Sequence, residues 1–161
     1  MSARGIKIVG VIVNVLLAAS AGLIGVLYGF SLVKGGFAVV DGRSMEPLLH
    51  TGDLVFMRDV DGGIDVGSVV VYRDPSGKYI IHRVIAVYEY KGIDCYVIKG
   101  DNNYMPDLGY PSVCKKPYRY GGITVYGVPE DKIVGVVISI GSNPLKIPYL
   151  GGLTLAYKGF R

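Results

Sequence analysis

From Ile8 to Val33 the chain runs for 26 residues without a formal charge, bounded by Lys7 and Lys34. As a helix rising ~1.5 Å per residue, this run extends roughly 39 Å, more than the ~30 Å hydrocarbon core of a bilayer. It reads as a single N-terminal transmembrane helix, with room for tilt or for an interfacial end near Tyr28 to Val33. Arg4, Lys7 and the amino terminus lie on its short side. The positive-inside rule then keeps the N-terminus cytoplasmic and puts everything after Lys34 outside, although Lys34 and Arg43 blunt the asymmetry. The competing reading is a cleavable signal peptide with an A-x-A-like site at Ala18-Ala19-Ser20-Ala21. Against it, the run continues well past that site and exceeds the ~7 to 15 residues of an ordinary signal-peptide core. Gly25 and Gly29 form a GxxxG pair, read first as packing tolerance in a glycine-rich helix and second as a dimer seam.

The chain has 161 residues, enough for one further domain beside such an anchor. The expected division is residues 1–34 as cytoplasmic tip and anchor, and 35–161 as an extracytoplasmic β domain. Beyond residue 33 there are 15 basic and 13 acidic residues, often adjacent, so the net charge of +4 points to no nucleic-acid surface. Twenty-four glycines and 13 tyrosines without a tryptophan favour a body of strands and turns. Short apolar runs follow one another at Phe37 to Val40, Leu54 to Arg58, Ser68 to Tyr72, Tyr79 to Tyr90, Cys95 to Lys99, Ile123 to Tyr126 and Ile133 to Ile140. Turn signals such as Asp61-Gly62-Gly63, Asp74-Pro75-Ser76-Gly77 and Lys91-Gly92 separate them, so the fold class is all-β, mostly antiparallel, after one transmembrane helix. The end of the chain, from Pro144 to Arg161, is expected to complete the sheet, with lipid contact through Tyr149, Tyr157 and Phe160 as a second reading.

Cys95 and Cys114 both fall on the outer side, where a disulfide is permitted. It would close a loop around Lys99 to Leu108 worth about 3 kcal/mol in the chain-entropy model, the alternative being two buried thiols. With two histidines and two distant cysteines no metal site is expected, and no cofactor motif is present.

Chemistry concentrates in three segments. In Asp41-Gly42-Arg43-Ser44-Met45-Glu46-Pro47, followed by Thr51-Gly52-Asp53, Gly42 and Pro47 can present Ser44 on a bend with its N–H free. A serine in such a turn is ordinarily a hydrogen-bonding residue unless something activates it. In Tyr79-Ile80-Ile81-His82-Arg83-Val84-Ile85, strand alternation puts His82 with Ile80 and Val84, and Arg83 on the other face. An isolated histidine there reads as a satisfied core residue. In Lys99-Gly100-Asp101-Asn102-Asn103-Tyr104-Met105-Pro106-Asp107, either carboxylate could orient an imidazole while the other holds the loop. His50, six residues after Ser44, is the rival base, read as an exposed turn residue.

Taken together, Ser44-Met45-Glu46-Pro47 with Gly52-Asp53, His82-Arg83-Val84, and Gly100-Asp101-Asn102-Asn103 with Asp107 resemble the conserved boxes of type I signal peptidases, in order. Ile133-Val134-Gly135 resembles the strand that follows them. The match is to the archaeal and endoplasmic-reticulum branch, which pairs the serine with a histidine rather than a lysine. The resemblance implies a β domain at the membrane face, in which extended substrate lies along a strand beside the nucleophile. It also implies removal of signal peptides from exported preproteins at A-x-A-like sites, by way of an acyl-enzyme. In that pattern the catalytic residues are Ser44, His82 and Asp107, with Asp101 supporting the site. Gly42 departs from members that carry a serine two positions before the nucleophile, so the oxyanion would rely on the Ser44 N–H and another donor. Phe37, Val39 and Val40 are candidate pocket residues on spacing.

The implied partners are signal-peptide-bearing preproteins, the lipid bilayer, and the secretion channel or accessory subunits. The implied location is the cell membrane or the endoplasmic reticulum. Two alternatives remain from the sequence. One is a self-cleaving repressor, which would need a lysine base and a DNA-binding domain. The other is a catalytically inactive, membrane-tethered β binding module.

Overall fold

A computed structural model of the chain describes residues 3–32 and 35–152. Val33, Lys34 and the terminal stretch with Tyr157, Lys158, Phe160 and Arg161, on which parts of the sequence reading fall, lie outside the described residues. The chain divides between residues 34 and 35 into two units.

The first unit is one helix, α1, Ala3–Leu32. Within residues 10–25, where side chains are described, Val11, Leu16, Leu17 and Ile24 are all exposed. Ser20 donates its hydroxyl to the Leu17 carbonyl at 2.9 Å, which satisfies this polar group within the helix. Among the described residues no helix is long and apolar enough to cross a membrane.

The second unit is a mostly antiparallel β domain. Its strands are β1 Phe37–Val39, β2 Leu54–Arg58, β3 Val69–Arg73, β4 Tyr79–Tyr90, β5 Ile93–Lys99, β6 Tyr118–Tyr120, β7 Ile123–Val125, β8 Val128–Pro129, β9 Ile133–Val137, β10 Ser139–Ile140, β11 Asn143–Pro144 and β12 Lys146–Ile147. The main sheet runs β1-β2-β9-β3-β4-β5-β8, with β12 also paired to β2, and β6-β7 and β10-β11 form two small hairpins. The apolar runs read from the sequence coincide with β1 to β5, β7 and β9. β6, β8, β11 and β12 are two- or three-residue strands that carry no pattern of their own. β12 brings the region after Pro144 into the sheet, with Lys146 opposite Val55.

β3 is the hub. Its run Val69-Val70-Val71-Tyr72 is buried on both faces, as a near-continuous β-branched strand must be when flanked on each side. Val70 and Tyr72 enter a core with Val84, Tyr96, Ile98, Val128 and Val136. Val69 and Val71 enter a second with Val40, Met45, Leu49, Val55 and Met57. The β3–β4 register places Val70 opposite His82 and Tyr72 opposite Ile80. Tyr72 and His82 are thus diagonal neighbours on the face of the first core.

Cys95 and Cys114 are joined in a disulfide with Cα atoms 5.9 Å apart, which resolves the two readings of these residues.

Candidate active site

Ser44 lies in an irregular turn between β1 and β2, half-buried, with Met45 and Leu49, which follow it, sunk in the second core. Gly42 precedes it at φ +121°, a conformation open to glycine at little cost, so the bend has its backbone reason. Polar ties hold the turn. The Thr51 hydroxyl donates to the Gly42 carbonyl at 3.0 Å and accepts from the Gly42 N–H at 3.2 Å. Asp53, 1% exposed, accepts from the His50 N–H at 3.0 Å and from Lys146 Nζ at 2.7 Å. Lys146 also donates to the Leu48 carbonyl at 2.8 Å. Burial pushes the Asp53 carboxyl up. The Lys146 hydrogen bond, the His50 and Tyr149 N–H groups and the Lys146 charge outweigh it and hold Asp53 below the usual carboxylate value.

His82, 6% exposed, stands on β4 facing the first core. Its Nδ1 is 2.7 Å from Asp107 Oδ2. With Nδ1–H donating to the carboxylate, Nε2 carries the free lone pair and can act as a base. Asp107 is held in turn by its N–H to the Ile98 carbonyl at 2.9 Å and by the Tyr72 hydroxyl, which donates to Oδ2 at 2.8 Å. Asp101 goes elsewhere. It accepts two parallel bonds from Arg83, at 2.8 and 2.7 Å, and Arg83 donates a third to the Gly67 carbonyl. Alternation along β4 explains the split, since adjacent residues His82 and Arg83 point to opposite faces and each takes one carboxylate of the same loop.

That loop also reaches the serine. The Asn102 N–H donates to the Ser44 carbonyl at 2.8 Å, and its side-chain amide donates to the Arg43 carbonyl at 3.1 Å. A Cβ on Gly100 would lie 2.6 Å from the Ser44 carbonyl oxygen, so close an approach that only glycine fits. Ser44 and His82 line one cleft of about 450 Å³ with Ala38, Val39, Val71 and Ile81. Asp107 and Tyr72 line a second cleft on the other side of His82. Of the three pocket candidates only Val39 lines the Ser44 cleft. Phe37 is exposed, and Val40 is core because its alternate position turns it inward. His50 is half-buried rather than exposed and does not line that cleft. Among the described residues no cluster of three or more His, Cys, Asp or Glu is placed to hold a metal ion.

A serine and an imidazole bonded to a carboxylate thus share one cleft on an antiparallel scaffold, the residue types that a serine-histidine-aspartate hydrolase uses. The comparison with known proteins gives the family. A model described as signal peptidase, peptidase S26, matches residues 8–88, half of the chain, and the chain belongs to that family. The match includes Ser44 and His82, while Asp101 and Asp107 lie beyond it. Among curated relatives, the signal peptidase complex catalytic subunit SEC11 of Yarrowia lipolytica is 34% identical over 113 residues, covering 68% of this chain and 60% of that protein. SEC11 of Clavispora lusitaniae is 42% identical over 72 residues, 44% of this chain and 43% of that protein. SEC11C of Homo sapiens is 40% identical over 74 residues, 44% of this chain and 38% of that protein. The chain thus spans less than two thirds of the length of each of these relatives.

Sequence reasoning missed Tyr72 and Lys146 as parts of the site. Tyr72 reads as one more β-former in an apolar strand, and Lys146 as an ordinary surface charge. Neither carries a local signal of its partner.

Proposed function

We propose that this chain is a membrane-bound serine endopeptidase that removes signal peptides from exported preproteins, cutting after small residues. The observation that carries this is the shared cleft of Ser44 and His82, with Asp107 on His82 Nδ1. Ser44 Oγ attacks the scissile carbonyl while His82 Nε2 takes its proton. The imidazolium then gives that proton to the leaving amine, and water activated by His82 releases the acyl group. Asp107 fixes the imidazole tautomer. Asp101 acts by clamping Arg83 and so the loop that carries Asn102. The Ser44 N–H has no intramolecular hydrogen-bond partner among the described residues and is free for the oxyanion, whereas the Gly42 N–H is engaged by Thr51.

Substrate geometry follows from open sheet edges. β1 is the outer strand of the sheet, and β5 pairs with β4 only from Arg83 onward, leaving Tyr79 to His82 unpaired on that side. An extended peptide lying against these edges would place its side chains among Ala38, Val39, Val71 and Ile81, a shallow apolar lining suited to small residues. The helix Ala3–Leu32 and the uncharged 8–33 run support an anchor with a cytoplasmic N-terminus and the β domain, residues 35–161, outside. The disulfide accords with that side of the membrane. Because relatives are named as subunits of a signal peptidase complex, accessory subunits and a secretion channel are proposed partners alongside the bilayer and the preproteins.

The test is cleavage of a precursor with an A-x-A site by the full chain in detergent or liposomes. Ser44→Ala and His82→Ala abolish cleavage and His50→Ala does not. An imidazole base makes kcat/KM fall as the pH drops below neutrality, while a lysine base would do so below about 9. Cleavage by Ser44→Ala at the parent rate would overturn the Ser44 assignment, and a parent chain that does not cleave would leave the inactive binding module.

A further inference from the structure

Four tyrosines of the β domain show how a largely buried phenol finds a partner. Tyr110 donates to the Arg73 carbonyl, Tyr88 to the Lys116 carbonyl at 2.7 Å, and Tyr96 to Glu130 at 3.2 Å. Those contacts lie away from the Ser44 cleft and tie one strand or loop to another. Tyr72, 3% exposed, is different, because its hydroxyl reaches the carboxylate that is bonded to the histidine. The two donors converge on a single atom, with Tyr72 Oη at 2.8 Å and His82 Nδ1 at 2.7 Å from Asp107 Oδ2. Filling the first core would require only the ring, since a phenylalanine occupies nearly the same volume without a polar group to satisfy.

We propose that Tyr72 is a positioning residue of this site, acting on His82 through Asp107: its hydroxyl fixes the carboxylate's orientation and shares the charge of the oxygen that faces the imidazole. The proposal rests on the catalytic reading above. Orientation comes from the β3–β4 register, which makes Tyr72 and His82 diagonal neighbours and lets one carboxylate cap both. Charge sharing follows from the chemistry of the acceptor. An oxygen already accepting a strong hydrogen bond stabilises the imidazolium less, so His82 returns its proton more readily when the leaving amine needs it. The donor is permanent. Burial, then the nearby Asp107 charge and the hydrogen bond to it, push the Tyr72 phenol far above its ordinary value, with Asp74 and Tyr110 adding to the effect. The other charged or titratable groups facing His82 are Asp41, Lys78 and Tyr79 in the Ser44 cleft and Asp74 in the Asp107 cleft. None of these is altered by removing one hydroxyl.

The experiment compares the full chain, Tyr72→Phe, Ser44→Ala and Asp107→Asn in one precursor-cleavage assay over a pH series. A second measurement is NMR titration of the imidazoles in detergent, where His50 is the only other histidine and serves as the internal standard. Tyr72→Phe is expected to lower kcat roughly tenfold, in keeping with the loss of one hydrogen bond to a charged group, with KM unchanged. The acid limb of kcat/KM and the His82 titration should both move to higher pH by roughly half a unit while His50 stays put. In the Asp107→Asn background, Tyr72→Phe should leave the His82 titration where Asp107→Asn alone put it. A Tyr72→Phe protein of lower melting temperature with an unmoved His82 titration overturns the proposal, because that is what a purely structural tyrosine would give. An equal shift with and without Asp107 overturns it too. If Ser44→Ala cleaves like the parent, the catalytic reading fails separately, and the NMR titrations still decide whether Tyr72 acts on His82.

Discussion

His82 and Ser44 face one cleft but are held in different ways. His82 stands in a twelve-residue strand whose same-face neighbours, Ile80 and Val84, pack with Val70 and Tyr72 in the first core. Its position follows from strand period and register, and side-chain hydrogen bonds adjust it only at the end. Ser44 has no ladder. Its turn is nailed to the second core by Met45 and Leu49 and closed by polar ties: the side chains of Thr51 to Gly42, Asp53 to His50 and Lys146, and Asn102 to Arg43, and the Asn102 N–H to the Ser44 carbonyl. His82 therefore sits where apolar packing is dense and cooperative, and Ser44 where geometry depends on a few polar contacts. Each of those is worth about 1 kcal/mol net. The loop 100–107 joins the two, giving Asp107 to the histidine and Asn102 to the serine turn.

This contrast can be broken at its covalent tie. The disulfide closes the chain segment that carries the loop, with a sequence separation of 19 between its cysteines. Replacing both Cys95 and Cys114 by alanine should lower unfolding stability by about 3 kcal/mol. If packing places the histidine side, the folded molecules keep kcat/KM within a small factor of the parent. A loss of activity in molecules still fully folded by circular dichroism would show instead that the bridge, not the core, sets the site. The next largest effect is on the loop that joins the two sides. Gly100→Ala forces a Cβ against the Ser44 carbonyl and displaces the loop from the serine turn. The expected loss is about a hundredfold in kcat/KM, the cost of a misplacement near 1 Å, with a lower melting temperature as the loop's bonds to the serine turn are lost. Wild-type turnover by Gly100→Ala would mean that the serine turn positions itself.

The same contrast explains what could be read from the sequence. Residues placed by period are visible, because Val69 to Tyr72 and Ile80 to Val84 announce strands and their faces. β8 and β11 are invisible, since two residues beside a glycine or proline have no period and are strands only because a neighbour offers a free edge; β12 falls in the region after Pro144 expected to complete the sheet, though its bounds could not be read. Ser44, His82, Asp101 and Asp107 stand out as polar residues in turns and apolar runs. The physical choice between the two carboxylates depends on where a loop crosses β4, which no local pattern encodes. Tyr72 lies 35 residues from Asp107, and Lys146 lies 93 from Asp53, so both contacts appear only once the sheet is assembled.

The Asp53–Lys146 pair is the narrowest test of the serine side, because it ties that turn to β12 and the segment after it and, among the described residues, makes no bond to the His82 side. Asp53 is fully buried, and Lys146 carries a side chain 25% exposed, so the pair stands between a surface and an interior ion pair. Removing either member leaves the other under-satisfied. Asp53→Asn or Lys146→Met should each cost about 2 kcal/mol of stability, below the cost of breaking a fully buried pair. The pH dependence has a definite sign. The carboxyl of Asp53 is held below its ordinary value of 3.8 in the folded protein, so its contribution is fully present above that pH. It is lost as the pH falls through the lower folded value. The stability gap between the parent and Asp53→Asn, read as urea midpoints of the full chain in detergent, should stay constant from neutrality down to about pH 4 and narrow below it. Ser44 should respond in parallel, with kcat/KM falling severalfold in both variants at neutral pH while the His82 titration stays where it is in the parent. A variant that loses stability but keeps full turnover would show that the turn holds Ser44 through its apolar anchors, Met45 and Leu49, and that the two sides of the site are held alike.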